Sequence, residues 1–502
     1  MAAPEHILTL DLGTTACKAS LFALDGAVAA QTSVEFPTLH PTPAAAEQDP
    51  SAWWDAAVRG CAALPRDARR RVVAVGLSSQ RGGVVPMDAD LRPLGRCAIW
   101  MDRRSAEEID AFVAAFGRER VHEVTGLVPD TEFSAGKILW LRRHAPDVFR
   151  AARVYLQPKD YLYLRLTGRV ATDYTLASRT LMLDVARRAW WDDAFAYVGI
   201  TPDAFPPPYP STAAPHGVEA DAAAALGISA GVPVALGAGD RPCEVLGAGA
   251  GGGRVMVSTG TTTNVSAASA GPPAAGDPRV MCSLHAVDGE FLLEQGMSAS
   301  GSILRWMRDT VLGGTVDYRR LDLLAGPAPP GADGLVFLPF MMGARATRWD
   351  PDARGAWFGL TETHGVGDLA RSIMEGVAYE VRACVGLLEA MGQSPREVVA
   401  VGGGARSALW DQILADVLGR RVGVPRQTDA ASLGAMLLAG AAIGRLGALA
   451  QAAREINPVA EAFVPTPHAA ERYGSLYDTY NRLYQALRPV FHESRRGSGQ
   501  RE

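Results

Sequence analysis

Apolar residues at the start of the chain occur in short continuous runs that end at glycine. Residues 7–12 are largely apolar, Gly13-Thr14-Thr15 interrupts them, and the run resumes over residues 19–24. An apolar run, a glycine turn and a second run are typical of two strands joined by a tight turn. The sequence therefore predicts a β-hairpin at its beginning.

The same pattern returns far downstream. Residues 255–257 predict a strand, Gly260-Thr261-Thr262 a turn, and residues 264–268 a return strand. Both turns read Gly-Thr-Thr and both lie near the start of a segment of domain size. A tripeptide recurs by chance, but the shared strand context favours an internal duplication.

The stretches between and after the hairpins alternate between helical and strand patterns. Asp49 and Pro50 provide the cap and first turn of a helix, and "RVVAVGLSSQ" reads as a buried strand. Residues 367–392 carry the apolar stripe of a long helix, and "VVAVGGGARSALWDQILADVLG" reads as strand, glycine loop and a helix that begins near Ser407. This alternation predicts an α/β protein.

Composition narrows the class of protein. The chain has 502 residues, 48% of them hydrophobic and 21% charged, with a net charge of -5. This balance is that of a globular protein of two to four domains, and it gives no support to nucleic-acid binding. The apolar stretch of residues 430–444 is shorter than the roughly 20 residues that span a bilayer, so we interpret it as a buried helix. No signal peptide opens the sequence and the six cysteines lack metal spacing, so we expect a cytoplasmic protein.

Two common nucleotide motifs are absent or misplaced. A P-loop needs Gly-Lys followed by Ser or Thr, and no lysine of the chain has that context. A GxGxxG match at Gly247, Gly249 and Gly252 follows a predicted helix rather than a strand. We therefore discount a dinucleotide fingerprint.

The two Gly-Thr-Thr turns offer another way to hold phosphate. Their backbone N–H groups and hydroxyls can point into one concavity suited to phosphate oxygens. Asp11 lies just before the first turn. Its carboxylate is suited to bind, directly or through water, the Mg²⁺ ion that neutralises phosphate charge. Taken singly, each turn is better interpreted as an ordinary hairpin turn.

Asp240 ends another strand-like run. It follows the apolar residues 232–236 and lies in "ALGAGDRPCEVLGAGA" (residues 235–250), where almost every neighbour is small. Strand ends that open onto glycine loops are where α/β proteins place chemistry. Alone, these residues favour a turn aspartate beside a proline.

Taken in order, these segments resemble the FGGY family of carbohydrate kinases, within the actin-like, ribonuclease-H-like ATPase superfamily. "DLGTT" and "STGTTTN" are similar to the family's two phosphate segments, and "GGGARSALWDQILADVLG" to its adenosine segment. Further similar segments are "QPKDYLYLRLTG", "TDYTLASRT", "GMSASGSILRWMRD" and "GLVFLPFMMGARATRWDPDARGAWFGLT". The resemblance runs from about residue 7 to about residue 487.

The resemblance implies two duplicated actin-like (ribonuclease H-like) domains with mixed sheets flanked by helices and a cleft between them. It implies a first domain over residues 1–248, with the sugar pocket, first turn and catalytic aspartate. A second domain over residues 249–488 would hold the second turn and the adenosine site. We expect residues 489–502 to form a disordered tail, because "HESRRGSGQRE" offers no apolar anchor.

The resemblance also assigns roles to residues. Asp240 lies in the segment that carries the family's catalytic aspartate, so we expect it to act as general base toward a sugar hydroxyl. The positions that match ATP-binding segments are Gly13, Thr14, Thr15, Lys18, Gly260, Thr261, Thr262, Gly301, Arg305, Gly403, Gly404, Ala405 and Ser407. The positions that match the sugar pocket are Gln80, Arg81, Trp100, Asp102, Arg103, Glu132, Asp240 and Arg241. ATP and Mg²⁺ are the implied cofactors, with Asp11 as metal ligand.

The pocket residues do not match either of two common substrate patterns of the family. Xylulose kinases typically have Met-His after the pocket glutamine and glycerol kinases Arg-Glu, whereas this chain has Arg81-Gly82. Asp240 is followed by Arg241, where those families tend to have Asn or Gln, and Glu132 stands in place of a pocket tyrosine of glycerol kinases. A ketose such as xylulose or ribulose leads, and a glycerol- or erythritol-type polyol is the alternative.

Two further readings stay open. Arg81 and Arg241 could bind the carboxylate of a sugar acid, or Arg241 could simply pair with Glu244. A non-catalytic actin-fold protein, such as a sugar-responsive regulator, would need Asp11 and the turns but no base at Asp240. A homodimer is the family's expectation, and no nucleic-acid or membrane partner is expected.

Overall fold

Two large mixed sheets, one from each half of the chain, organise the computed structural model, which describes residues 5–272 and 276–498. The strands of the first half are β1 (His6–Leu12), β2 (Ala16–Ala23), β3 (Val28–Glu35), β4 (Glu47–Gln48), β5 (Val72–Ser79), β6 (Val85–Met87), β7 (Cys97–Ala98), β8 (Val154–Leu156), β9 (Thr172–Asp173), β10 (Leu183–Asp184), β11 (Ala189–Trp190), β12 (Pro208–Tyr209), β13 (His216–Gly217), β14 (Pro233–Val234) and β15 (Ala238–Gly239). Those of the second half are β16 (Arg254–Thr259), β17 (Thr263–Ser269), β18 (Met281–Leu284), β19 (Phe291–Met297), β20 (Val336–Leu338), β21 (Ala356–Phe358), β22 (Glu397–Val401), β23 (Arg421–Pro425) and β24 (Val459–Phe463).

Helices flank both sheets. Those of the first half are α1 (Pro50–Ala63), α2 (Arg66–Arg69), α3 (Ala106–Phe116), α4 (Arg118–Thr125), α5 (Ser134–His144), α6 (Pro146–Ala151), α7 (Pro158–Thr167), α8 (Tyr174–Ala177), α9 (Asp192–Val198), α10 (Ala220–Leu226) and α11 (Asp240–Gly247). Those of the second half are α12 (Gly301–Trp306), α13 (Tyr318–Ala325), α14 (Val366–Ala390), α15 (Ala408–Leu418), α16 (Ala430–Ala442), α17 (Leu449–Ile456) and α18 (Pro467–Ser498). The predicted cap of α1 is present, since the Asp49 side chain accepts the Ser51 N–H.

The two large sheets share one topology. The first has the order β13-β14-β5-β1-β2-β3, with β15 also pairing with β5, and the second β18-β19-β17-β16-β22-β23-β24. In both, an antiparallel hairpin (β1–β2 or β16–β17) supplies a strand that pairs in parallel with a later one, β5 or β22. The predicted α/β class and the duplication of the two halves are confirmed.

Register aligns the carboxyl ends of parallel strands in each sheet. Leu12 and Gly239 both pair with Ser79, so β1, β5 and β15 end at one edge. In the second sheet Ser258 pairs with Val401, so β16 and β22 end together. Loops that follow these strands are therefore brought together at an edge of each sheet, where open α/β sheets bind ligands.

Two helices lie between the halves and cross at glycines. Val245 of α11 packs in a cluster with β16 and β22, whereas α16 packs against β1 and β5 of the first sheet. A Cβ atom on Gly247 would overlap the Ala430 carbonyl, and one on Gly434 would overlap the Cys243 carbonyl. The backbones of α11 and α16 are thus in direct contact, which glycine alone permits. The prediction that α16 is a buried, closely packed helix is confirmed.

We expect Gly434→Ala to destabilise the protein by about 1–3 kcal/mol, because the new methyl group would meet backbone that must shift. Thermal unfolding of the full chain measures this. Gly440→Ala, on the same helix, is the control, since its Cβ would meet the flexible end of Leu446. Equal melting temperatures for the two variants would show that the crossing is not tightly packed.

The expected disordered tail is wrong over the residues that the structure describes. Helix α18 continues to Ser498, and residues 499–502 lie outside the described part. Phe491 is buried against the second-half core, and His492 Nε2 lies 3.0 Å from Asp350 Oδ1. Apolar residues recur at helical spacing on this helix: Tyr473, Tyr477, Tyr480, Tyr484, Leu487 and Phe491. This apolar stripe anchors the start of the segment that its polar composition had predicted to be disordered.

Within residues 5–272 and 276–498, no helix has the length and apolar character needed to cross a membrane.

Candidate active site

The first Gly-Thr-Thr turn closes the β1–β2 hairpin. The Gly13 N–H donates to the Ala16 carbonyl at 3.0 Å, so Thr14 and Thr15 form the tip. Asp11 lies opposite Lys18 across the hairpin. The Lys18 ammonium pairs with Asp429 of the segment that precedes α16, at 2.8 Å. The turn is thereby tied to the other half of the chain.

Negative charge accumulates beside this turn. Burial raises the pKa of Asp11 to about 6, although Lys18 and a hydrogen bond from Ser78 lower it. The nearby carboxylates of Asp429 and Asp240 raise it further. A bound divalent cation would relieve this repulsion, so the residues present fit Mg²⁺ with Asp11 as a ligand.

The second Gly-Thr-Thr turn is held by the start of α12. The Gly260 N–H donates to Thr262 O at 2.8 Å, and the Gly301 N–H donates to Gly260 O at 3.1 Å. A Cβ on Gly301 would overlap the Gly260 carbonyl. A Cβ on Gly260 would instead meet nothing closer than Thr262 O at 3.9 Å, so this face of the turn is open. Arg305 lies on α12, the helix that begins at Gly301.

The predicted adenosine loop lies against the same turn. A Cβ on Gly402 would approach Thr259 O at 2.7 Å, and one on Gly404 would approach Thr259 Cγ2 at 2.6 Å. Ser407 caps α15 by accepting the Trp410 N–H at 3.1 Å. Gly403 stays open and Ala405 packs partly on the core. The structure therefore brings the second turn and this loop together.

Asp240 is the first residue of α11, directly after β15. Its side chain is 42% exposed, and its Oδ1 accepts a hydrogen bond from the backbone N–H of Arg241 at 2.7 Å. Because β1, β5 and β15 end at one edge, Asp240 lies beside the Gly13 turn and the Gln80-Arg81 segment. A solvent-accessible carboxylate at this edge is suited to accept a proton from a bound alcohol.

A buried ionic chain extends from Asp240. Arg81 Nε lies 3.2 Å from Asp240 Oδ1, and its two terminal nitrogens donate to the Glu294 oxygens at 2.9 and 2.7 Å. Burial opposes ionisation of Glu294, but the Arg81 and Arg179 guanidinium groups prevail and lower its pKa to about 2. Glu294 therefore stays charged at any physiological pH.

Glu132 continues this chain. It accepts from Arg179 Nη2 at 2.7 Å and lies 3.6 Å from Arg345. Its backbone carbonyl accepts from the buried Lys137 ammonium at 2.8 Å, which fixes the loop. Glu132 and Arg81, both predicted pocket residues, thus belong to one network.

Trp100 and Gln80 contact the first turn. Trp100 Nε1 donates to Thr14 Oγ1 at 3.0 Å, and Gln80 Nε2 lies 3.3 Å from Gly13 O and 2.8 Å from Gln48 Oε1. The pocket and phosphate segments predicted from the sequence are therefore adjacent in space.

Asp102 and Arg103 point elsewhere. Asp102 is buried, with its oxygens accepting from Ala46 N–H and Arg104, and Arg103 pairs with Asp130. The substrate-binding roles of these two residues stay predictions.

Arg241 pairs with Glu244, the salt bridge that the sequence left as an alternative. Glu244 Oε1 also accepts from Ser258 Oγ at 2.6 Å. Since Ser258 precedes Gly260 by two residues, this contact joins the Asp240 helix to the second turn. The helix that begins with the base candidate is thereby connected to the strand that leads into the second turn.

Sequence reasoning missed several members of this site: Glu294, Arg179, Asp429 and Arg345. A signal existed for Glu294, because a single charged residue lies in the otherwise uncharged strand "FLLEQGM". Such a residue is rarely buried without a partner. Its partner Arg81 lies far away in sequence and could not be identified from spacing.

The sequence is similar to known carbohydrate kinases along most of its length. Residues 6–247 match the FGGY family of carbohydrate kinases, N-terminal domain, and residues 255–443 match its C-terminal domain. The chain is 34% identical to xylulose kinase of Escherichia coli (strain K12), over 96% of this chain and 99% of that protein. It is 29% identical to gluconokinase of Bacillus licheniformis, over 96% of each.

A solved structure agrees with this assignment. The crystal structure of xylulose kinase from Rhodospirillum rubrum superposes with a TM-score of 0.91 at 32% identity, over 97% of this chain and 100% of that one. This similarity shows that the two chains share one fold. The chain belongs to the FGGY family of carbohydrate kinases.

Proposed function

We propose that the protein transfers the γ-phosphoryl group of ATP to a hydroxyl of a small neutral sugar, a ketose such as xylulose or ribulose, with Asp240 as general base. The observation that carries this proposal is the place of Asp240. It is an exposed carboxylate at the edge where β1, β5 and β15 end, and Glu244 and Ser258 connect its helix to the second turn.

Each part of the site has a role in this reaction. The N–H groups and hydroxyls of the Gly13 and Gly260 turns bind phosphate oxygens, and the Gly403-Gly404 loop lies against the nucleoside. Asp240 accepts the proton of the sugar hydroxyl as its oxygen attacks phosphorus in line. Asp11 would hold Mg²⁺, directly or through water, and the bound ion would neutralise phosphate charge. Holding the reactants in place supplies much of the rate.

Charge balance in the pocket favours a neutral substrate. Four arginines and four carboxylates are paired there: Arg81, Arg179, Arg241 and Arg345 with Asp240, Glu132, Glu244 and Glu294. A sugar acid would add a negative charge where each arginine already has a carboxylate partner.

The non-catalytic alternative loses its basis, because the family comprises kinases and the base position holds an exposed aspartate. The polyol and sugar-acid alternatives are separated by assay. ADP release should be measured with xylulose, ribulose, glycerol, erythritol and gluconate. We expect kcat/KM for a ketose to exceed that for polyols and gluconate by at least about tenfold. A preference for gluconate would contradict the charge argument and favour a sugar-acid kinase.

A further inference from the structure

One arginine connects the base candidate to the opposite half of the protein. Arg81, in the loop after β5, donates twice to Glu294 of β19 and once to Asp240. Each of its three guanidinium nitrogens therefore donates one of these hydrogen bonds. The Arg81 and Glu294 side chains are only 11% and 4% exposed, whereas that of Asp240 is 42% exposed.

The position of Glu294 ties this contact to the nucleotide half. In the sheet, Glu294 of β19 lies opposite Ser266 of β17. Strand β17 begins directly after the second Gly-Thr-Thr turn. Arg179 lies 3.6 Å from Glu294, and Ser283 Oγ donates to it at 3.3 Å. These contacts hold the carboxylate in one orientation, and the two-point pairing transmits that orientation to Arg81.

We propose that Glu294 is a positioning residue for phosphoryl transfer: it fixes the Arg81 guanidinium, which in turn orients the Asp240 carboxylate toward the acceptor hydroxyl. The inference rests on the proposed role of Asp240. Arg81, predicted from the sequence to bind substrate, thereby acts on the base. Because Glu294 belongs to the second half, the base is correctly oriented only when the two halves are packed together.

The two other roles for this pair predict different kinetics. If Arg81 bound the sugar, loss of Glu294 would raise the sugar KM. If the pair only joined the two halves, loss of Glu294 would lower the melting temperature and leave the kcat of the folded enzyme unchanged. A positioning role lowers kcat while KM for sugar and ATP stay near the wild-type values.

A double-mutant cycle on the full-length enzyme tests the proposal. We expect Glu294→Gln to lower kcat by about 10- to 100-fold, with both KM values changed by less than about threefold. In the Asp240→Asn background the same substitution should have no further effect, because it acts through Asp240. A kcat within about twofold of wild type, or full additivity with Asp240→Asn, would overturn the proposal.

The cycle separates this inference from the proposed function. If Asp240→Asn alone keeps ordinary activity, the base assignment fails. If Asp240→Asn is inactive but Glu294→Gln loses only sugar affinity, the positioning role fails and the proposed function stands. Glu397→Gln is the matched control, since Glu397 pairs with Arg254 and Arg421 at the far end of β22, and its kcat should be unchanged.

A second variant covers the case in which Glu294→Gln does not fold. Arg81→Lys keeps the positive charge but lacks the planar fork that holds Glu294 and Asp240 together. We expect the same loss of kcat from this variant, again with little change in KM. A folded Arg81→Lys enzyme with wild-type kcat would contradict the positioning role.

Discussion

Asp240→Asn is expected to lower kcat by about 10²- to 10⁴-fold, the range that general-base catalysis contributes. The amide has nearly the shape of the carboxylate but cannot take the proton of the acceptor hydroxyl. Because Asp240 is proposed to contact the acceptor hydroxyl and not the nucleotide, ATP affinity should stay within about threefold of wild type. Steady-state kinetics and calorimetric titration with an ATP analogue measure the two quantities.

Asp88→Asn is the matched control for that variant. Asp88 accepts backbone N–H groups of Asp90 and Arg92 in a surface turn, so the same chemical change should leave kcat unaffected. Retention of ordinary turnover by Asp240→Asn would remove Asp240 as the base. Loss of ATP affinity together with turnover would instead assign the residue to the nucleotide site.

Gly260→Val is expected to weaken ATP binding by about 10- to 100-fold, because its side chain would extend from the open face of the second turn into the space proposed for phosphate. Sugar affinity in the absence of nucleotide should be retained, since no predicted pocket residue lies on this turn. Titration with the ATP analogue, and separately with the sugar, checks both expectations.

Gly447→Val serves as its control. Gly447 is exposed and a Cβ there meets no atom within 4 Å, so the same substitution should leave ATP affinity unchanged. Wild-type ATP affinity in folded Gly260→Val would show that the second turn does not contact the nucleotide.

The hairpins and their glycine turns could be predicted from the sequence because their signals are local. A run of apolar residues broken by Gly-Thr-Thr specifies strand and turn without reference to the rest of the chain. The duplication followed from the repeat of that pattern, and the shared sheet topology confirms it.

The ionic chain could not be predicted, since it depends on pairing between distant segments. Arg81 and Glu294 are separated by 213 positions, and only the folded sheets bring them together. The contacts of Asp102 could not be predicted either, because its partners Ala46 and Arg104 depend on how this loop folds. The tail was misjudged because we weighed composition over the helical spacing of Tyr484, Leu487 and Phe491.

The central claim is that the two turns hold one triphosphate while Asp240 faces the acceptor alcohol. A crystal structure with Mg²⁺, a non-hydrolysable ATP analogue and a ketose substrate tests it most directly. The account predicts backbone N–H groups of both the Gly13 and Gly260 turns on the phosphates, and an Asp240 oxygen within about 2.6–3.2 Å of a sugar hydroxyl. Phosphates contacted by one turn alone, or a sugar bound away from Asp240, would contradict it.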